Sequence, residues 1–151
     1  MELYSIKGVE NKDRVLIRNI KPKDNLTNHK KVMMLMWVHP SNTQIKTLKK
    51  KFNKHYTQLL PIINTWDPIG LVGSGAPDDE YDCITVLLIV LLEQGKSQNE
   101  IYEFIIHELD DHFSMGIDSI SNDYREQFIK KHKEFSSDLI DWYISYKGNT
   151  N

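Results

Sequence analysis

A chain of 151 residues with 40% apolar and 26% charged side chains has the make-up of one globular domain, large enough to bury a core and too apolar to stay disordered. Its one cysteine, Cys83, excludes an intramolecular disulfide, and the start Met1-Glu2-Leu3-Tyr4 lacks a signal-peptide pattern, so a reducing, cytoplasmic setting is expected. The net charge of −2 hides a sharp division: 13 Lys+Arg against 4 Asp+Glu in residues 1–55, 1 against 12 in residues 56–118, and 5 against 5 in residues 119–151.

The first 40 residues form an N-terminal extension that is expected to contain β structure. Residues 14–20 are rich in β-branched side chains and predict a strand, followed by a turn cluster around Pro22. The apolar run 32–38, stopped by Pro40, reads as a strand pairing with it or as a short helix, because periodicity alone does not separate the two.

Residues 41–147 are expected to form a helical bundle. Ser41 is a good N-cap, and Ile45, Leu48, Phe52, Tyr56, Leu59 and Ile63 recur on one helical face, with Lys46, Lys49, Lys50, Lys51 and Lys54 on the others. Pro61 predicts a kink or break near residues 56–60. A Gly- and Pro-containing loop, residues 67–76, leads to a helix expected to start at or next to Pro77, with Asp78, Asp79 and Glu80 in its first turn, and to stop at Gly95. Within it, the apolar stretch 84–92 is about half the roughly 20 residues of a membrane span, which predicts a buried helix. Ser97 and Glu100 have capping-box spacing ahead of a helix over residues 98–114, which buries Ile101, Phe104, Ile105, Leu109 and Phe113 and ends near Gly116. A last helix over residues 122–147 places Tyr124, Phe128, Phe135, Leu139, Trp142 and Tyr146 at heptad-like intervals. The expected fold is mainly α: about four helices with a small N-terminal β element, in a single domain spanning residues 1–151.

No constellation in this chain commits it to catalysis. His107 and His112 are five residues apart, which turns them about 140° from each other on a helix, against the four-residue spacing of a zinc-binding pair. His107 shares a face with Asp111, but a third ligand is missing. The segment containing Glu108 reads as a solvated face. The acids Asp67, Asp78, Asp79, Glu80 and Asp82 lack the spacing of a calcium loop, so neither metal nor cofactor is expected. Gly73-Ser74-Gly75 precedes three acids that would repel a phosphate.

The strings Trp66-Asp67-Pro68-Ile69-Gly70 and Ala76-Pro77-Asp78-Asp79-Glu80-Tyr81-Asp82 resemble the signature of the YugE-like family, bacterial domains of unknown function. The resemblance covers roughly residues 45–114 and implies a compact helical domain. Domains of this kind also occur beside secreted bacterial toxins, which implies an immunity role by analogy of context. Read chemically, Trp66, Asp67, Pro68, Gly70, Tyr81 and Asp82 are turn and helix-end residues that serve the fold.

The leading functional expectation is a non-enzymatic protein-binding module, an immunity or antitoxin-type inhibitor whose partner is a basic toxin domain. Its expected contact residues are Asp78, Asp79, Glu80, Asp110 and Asp111. Two other readings are a small metal-dependent hydrolase, and a nucleic-acid-binding regulatory protein using the lysine-rich helix. Nucleic acid is not the expected partner, because the domain as a whole is not basic and lysines on the outer face of an amphipathic helix serve solubility first. Membrane association is not expected.

Overall fold

The computed structural model describes residues 40–150 and, before them, the backbone of residues 2–3 and 16–17. Strands β1 (Glu2–Leu3) and β2 (Leu16–Ile17) pair antiparallel, Glu2 opposite Ile17 and Leu3 opposite Leu16. Apart from that pairing, the expected strand over residues 14–20 and the run 32–38 lie outside the described residues.

The described remainder is helical: α1 (Asn42–Lys51), α2 (Asn53–Trp66), α3 (Asp82–Glu93), α4 (Gln98–Asp111), a 3-10 turn (Ile117–Ser119) and α5 (Asn122–Thr150). The chain divides into two compact units, Met1–Gln94 and Gly95–Asn151.

In the first unit, α1 and α2 pack on α3. Ser41 caps α1 reciprocally with Gln44: its hydroxyl accepts the Gln44 amide at 3.2 Å, and its own amide donates to Gln44 Oε1 at 2.9 Å. The helix expected to kink near residues 56–60 breaks earlier, at Phe52 (φ −102°, ψ 33°). Pro61 sits inside α2 without ending it. It lies on the exposed side of the helix, as does Thr57, whose carbonyl it leaves without a helical donor. Across the break, Leu48, Phe52, Tyr56, Leu59 and Ile63 all remain buried, so the bend preserves the apolar stripe.

Helix α3 is buried from Cys83 to Leu92, as a helix that is apolar on every face must be. Thr85, the polar exception, donates its hydroxyl to the Tyr81 carbonyl at 2.7 Å, so no unsatisfied donor enters the core. The helix starts at Asp82, not at Pro77. Two successive turns (Glu80 N–H to Pro77 O, 3.4 Å; Asp82 N–H to Asp79 O, 3.0 Å) occupy the expected first helical turn. Gly95 follows the C-cap with φ +71°, the left-handed position that favours glycine.

In the second unit, α4 packs on α5. Gln98 Nε2, at the start of α4, reaches the Lys133 carbonyl at 3.4 Å, and Lys133 lies 5.5 Å from the Tyr102 ring centroid. The Ser97–Glu100 capping box forms at the α4 N-terminus, with bonds of 3.2 and 2.8 Å. Helix α4 stops at Asp111, five residues before the expected end, and Ser114 takes a left-handed conformation (φ +55°). Ile101, Phe104, Ile105 and Leu109 are buried, while Phe113 lies beyond the helix and is half-buried. Along α5, Phe135, Leu139 and Tyr146 are buried, Phe128 and Trp142 are half-buried, and Tyr124 is 63% exposed. Among the described residues, no helix is long and apolar enough to cross a membrane.

Candidate functional site: an acidic loop held by Asp67 and Tyr81

The loop between α2 and α3 is organised around one carboxylate. Asp67, the C-cap of α2, adopts φ +39° and ψ 64°, a conformation that aspartate tolerates better than bulkier residues. This turns its side chain back over the loop. Oδ1 accepts the Val72 amide at 3.1 Å and the Tyr81 hydroxyl at 2.6 Å, and Oδ2 accepts the Gly73 amide at 2.9 Å. The Tyr81 oxygen in turn accepts the Ile69 and Leu71 amides, both at 3.4 Å. Tyr81 is fully buried, and Trp66 and Pro68 are buried beside the turn. Gly70 supplies φ +73°, which a side chain rarely adopts.

The electrostatics follow from this network. Burial of Asp67 opposes its ionisation, but the bonds from Tyr81, Gly73, Val72 and Leu71 outweigh it and hold the carboxyl below its ordinary value. Burial, reinforced by the Asp67 carboxylate, pushes the Tyr81 phenol up to about 12.

Asp82, the last signature residue, ties three helices together. Its Oδ2 accepts Lys49 Nζ of α1 at 2.9 Å, and its Oδ1 accepts the Tyr56 hydroxyl of α2 at 2.5 Å. The Lys49 ammonium also lies 4.5 Å from the Tyr56 ring centroid. Its bond to Asp82 holds Lys49 above its ordinary value against the cost of burial. At the other end of α3, His55 Nε2 and Glu93 Oε1 approach to 2.6 Å. Neither junction was expected from the sequence. A signal for the first existed, since Lys49 lies seven residues before Tyr56, about two helical turns along nearly the same face.

Asp78, Asp79 and Glu80 are exposed and share one turn of the fastened loop. Asp110 and Asp111 belong to the second unit, at the end of α4, and both are exposed. Asp110 lies against the Gly116 backbone: a Cβ placed on Gly116 would stand 2.2 Å from Asp110 Oδ1. That close approach is why a glycine follows α4 here.

Glu108 is not on a solvated face. It is 3% exposed, and its Oε2 has no hydrogen-bond partner among the described residues. Its position explains this, because it lies seven residues after Ile101 and four after Phe104, on the buried stripe of α4. Burial, with a smaller contribution from Asp111, raises its carboxyl to about 7. In α5, His132 is fully buried 4.4 Å from the Phe128 ring, and burial together with the Lys131 charge lowers it to about 4.

Among the described residues, no three His, Cys, Asp or Glu side chains come close enough to hold a metal ion. His107 is half-buried on α4, and Cys83 is buried in α3. Comparison with protein-family models, curated proteins and solved structures gave no match to this chain.

Proposed function

We propose that this chain is a non-enzymatic protein-binding module, an immunity-type inhibitor that neutralises a basic toxin domain in the bacterial cytoplasm. The observation that carries the reading is the turn bearing Asp78, Asp79 and Glu80: three exposed carboxylates on a loop whose two ends are fastened through Asp67 and Tyr81. A loop already held in shape loses less conformational entropy on binding than a loose one. A concentrated acidic face speeds encounter with a cationic partner. Toxins that act on nucleic acid are cationic because they must hold phosphate. Asp110 and Asp111 supply a separate acidic step on the second unit. Membership of the YugE-like family belongs to the same proposal and rests on the signature residues.

The test is capture from the native host with the tagged chain, followed by co-expression of the captured protein. A basic protein that is toxic alone and harmless beside this chain is the expected result. Recovery of no basic partner, or toxicity unchanged by co-expression, would remove the reading.

A further inference from the structure

We infer that the exposed side of α1 and of the start of α2 is a second interaction surface, one that binds the phosphate backbone of nucleic acid without reading its sequence. The inference is independent of the acidic loop and stands or falls separately from the immunity reading.

The surface is unusually one-sided in charge. No Asp or Glu occurs between Asp24 and Asp67 in the sequence. Asp82 reaches into this region and engages Lys49. Lys46, Lys50, Lys51 and Lys54 are exposed and have no carboxylate partner among the described residues.

Folding alone does not account for all four. Lys50 and Lys51 lie in the last turn of α1, where the helix dipole favours cations. Lys54 is the second residue of α2, at the end where the dipole disfavours them. Lys46 and Lys50 are a like-charged pair one turn apart, which weakens a helix. An anionic partner removes both penalties.

The remaining side chains say which polyanion. Across residues 42–58, every exposed side chain is Lys, Asn, Thr or Gln. Lysines with amide donors such as Asn53 and Gln58 are the usual groups that contact phosphate and sugar. A helix that lies on a membrane needs exposed Trp, Phe or Leu beside its lysines to enter the acyl boundary, and this face has none. Lys46, Lys50 and Lys54 recur every fourth residue, an advance of about 6 Å per step along a helix, bent once at Phe52. Such a row of single ammonium charges tracks a strand backbone, and contacts to phosphate carry no sequence information, so binding through it is sequence-independent.

The experiment is fluorescence anisotropy with the full chain and a labelled 30-base-pair DNA of arbitrary sequence, repeated with a scrambled duplex, from 50 to 200 mM salt. Four phosphate contacts correspond to a log–log salt slope of about −3.6, a loss on the order of a hundredfold in affinity across that range. Both duplexes are expected to bind equally. The variant K46Q/K50Q/K51Q/K54Q should lose at least tenfold in affinity at 50 mM salt, while K130Q/K131Q/K133Q on α5 and the four Lys→Arg replacements should bind as the parent does. Circular dichroism checks that each variant is folded. Absence of binding at 50 mM salt, equal loss in the α5 variant, or tighter binding to phosphatidylserine vesicles or poly-glutamate than to the duplex would overturn the inference.

Discussion

The Tyr81 hydroxyl donates to Asp67 Oδ1 at 2.6 Å, joining the first helical residue's predecessor in α3 to the C-cap of α2, fourteen residues away. The same carboxylate receives the Val72 and Gly73 amides. Three polar groups of the loop therefore depend on one side chain.

Tyr81→Phe should cost roughly 1.5–3 kcal/mol, the range for a hydrogen bond to a charged group. Urea denaturation measures the loss, and hydrogen exchange locates it: in Asp67→Ala, the Val72 and Gly73 amides should exchange faster while those within α3 stay protected. The Asp67 carboxyl is held below its ordinary value, so its contribution is present above about pH 4 and is lost as pH falls through the lowered value. A Tyr81→Phe protein as stable as the parent would show that the loop does not depend on this bond.

Ser97→Ala removes the acceptor of the Glu100 amide at the start of α4. A cost of about 1 kcal/mol is expected in a thermal or urea melt. No change would mean that the α4 N-terminus is satisfied by other groups.

Glu108 gives a prediction of unusual sign. Its carboxyl sits at about 7 in the fold against an ordinary 4.5, so the folded state holds a proton that the unfolded state has released. Its contribution is therefore most favourable below pH 4.5 and is lost as pH rises to 7. Glu108→Met should stabilise the protein at pH 8, by up to ~3 kcal/mol, and far less at pH 5. A pH-independent difference between the two proteins would contradict the burial of an ionisable carboxylate.

His132 acts in the opposite direction. Lowered to about 4 from 6.5, it is neutral in the fold, and its contribution is present above pH 6.5 and lost as pH falls towards 4. Between pH 4.5 and 6.5 the two groups oppose each other at about 1.4 kcal/mol per pH unit each. Removing either one unmasks the other. Glu108→Met should gain stability as pH rises through that window, and His132→Gln should lose it. Parallel profiles for the two variants would refute the assignment.

The helical class and the apolar faces were legible because amphipathic spacing survives in the sequence. What was missed has physical reasons. The heptad series on α5 skips from Phe128 to Phe135, and the position that completes it is His132, a residue whose chemistry hides it in a search for apolar side chains. Glu108 is concealed in the same way, a carboxylate on the stripe set by Ile101 and Phe104. The start of α3 was misplaced because an acid-rich turn and an acid-rich first helical turn look alike in composition. The decisive event is Tyr81 being drawn into the core towards Asp67, a contact fourteen residues long. Pro61 misled because a proline's cost depends on whether the carbonyl it strands meets water, and that depends on which side of α2 it occupies. The acids of the candidate surface could be read directly. The hydrogen bonds that fix their loop could not, since they depend on the left-handed conformation of Asp67.

If the fastened acidic turn meets a basic protein partner, as proposed, reversing its charge must slow their encounter. The direct measurement is the association rate with the captured partner at 50 and 150 mM salt, for the parent chain and for Asp78→Lys/Asp79→Lys. Both positions are exposed, so the melts should coincide within about 0.5 kcal/mol. The charge-reversed chain is expected to associate at least ~10-fold more slowly at 50 mM salt and to lose most of the parent's salt dependence. Equal association rates for the two proteins at both salt concentrations would contradict it.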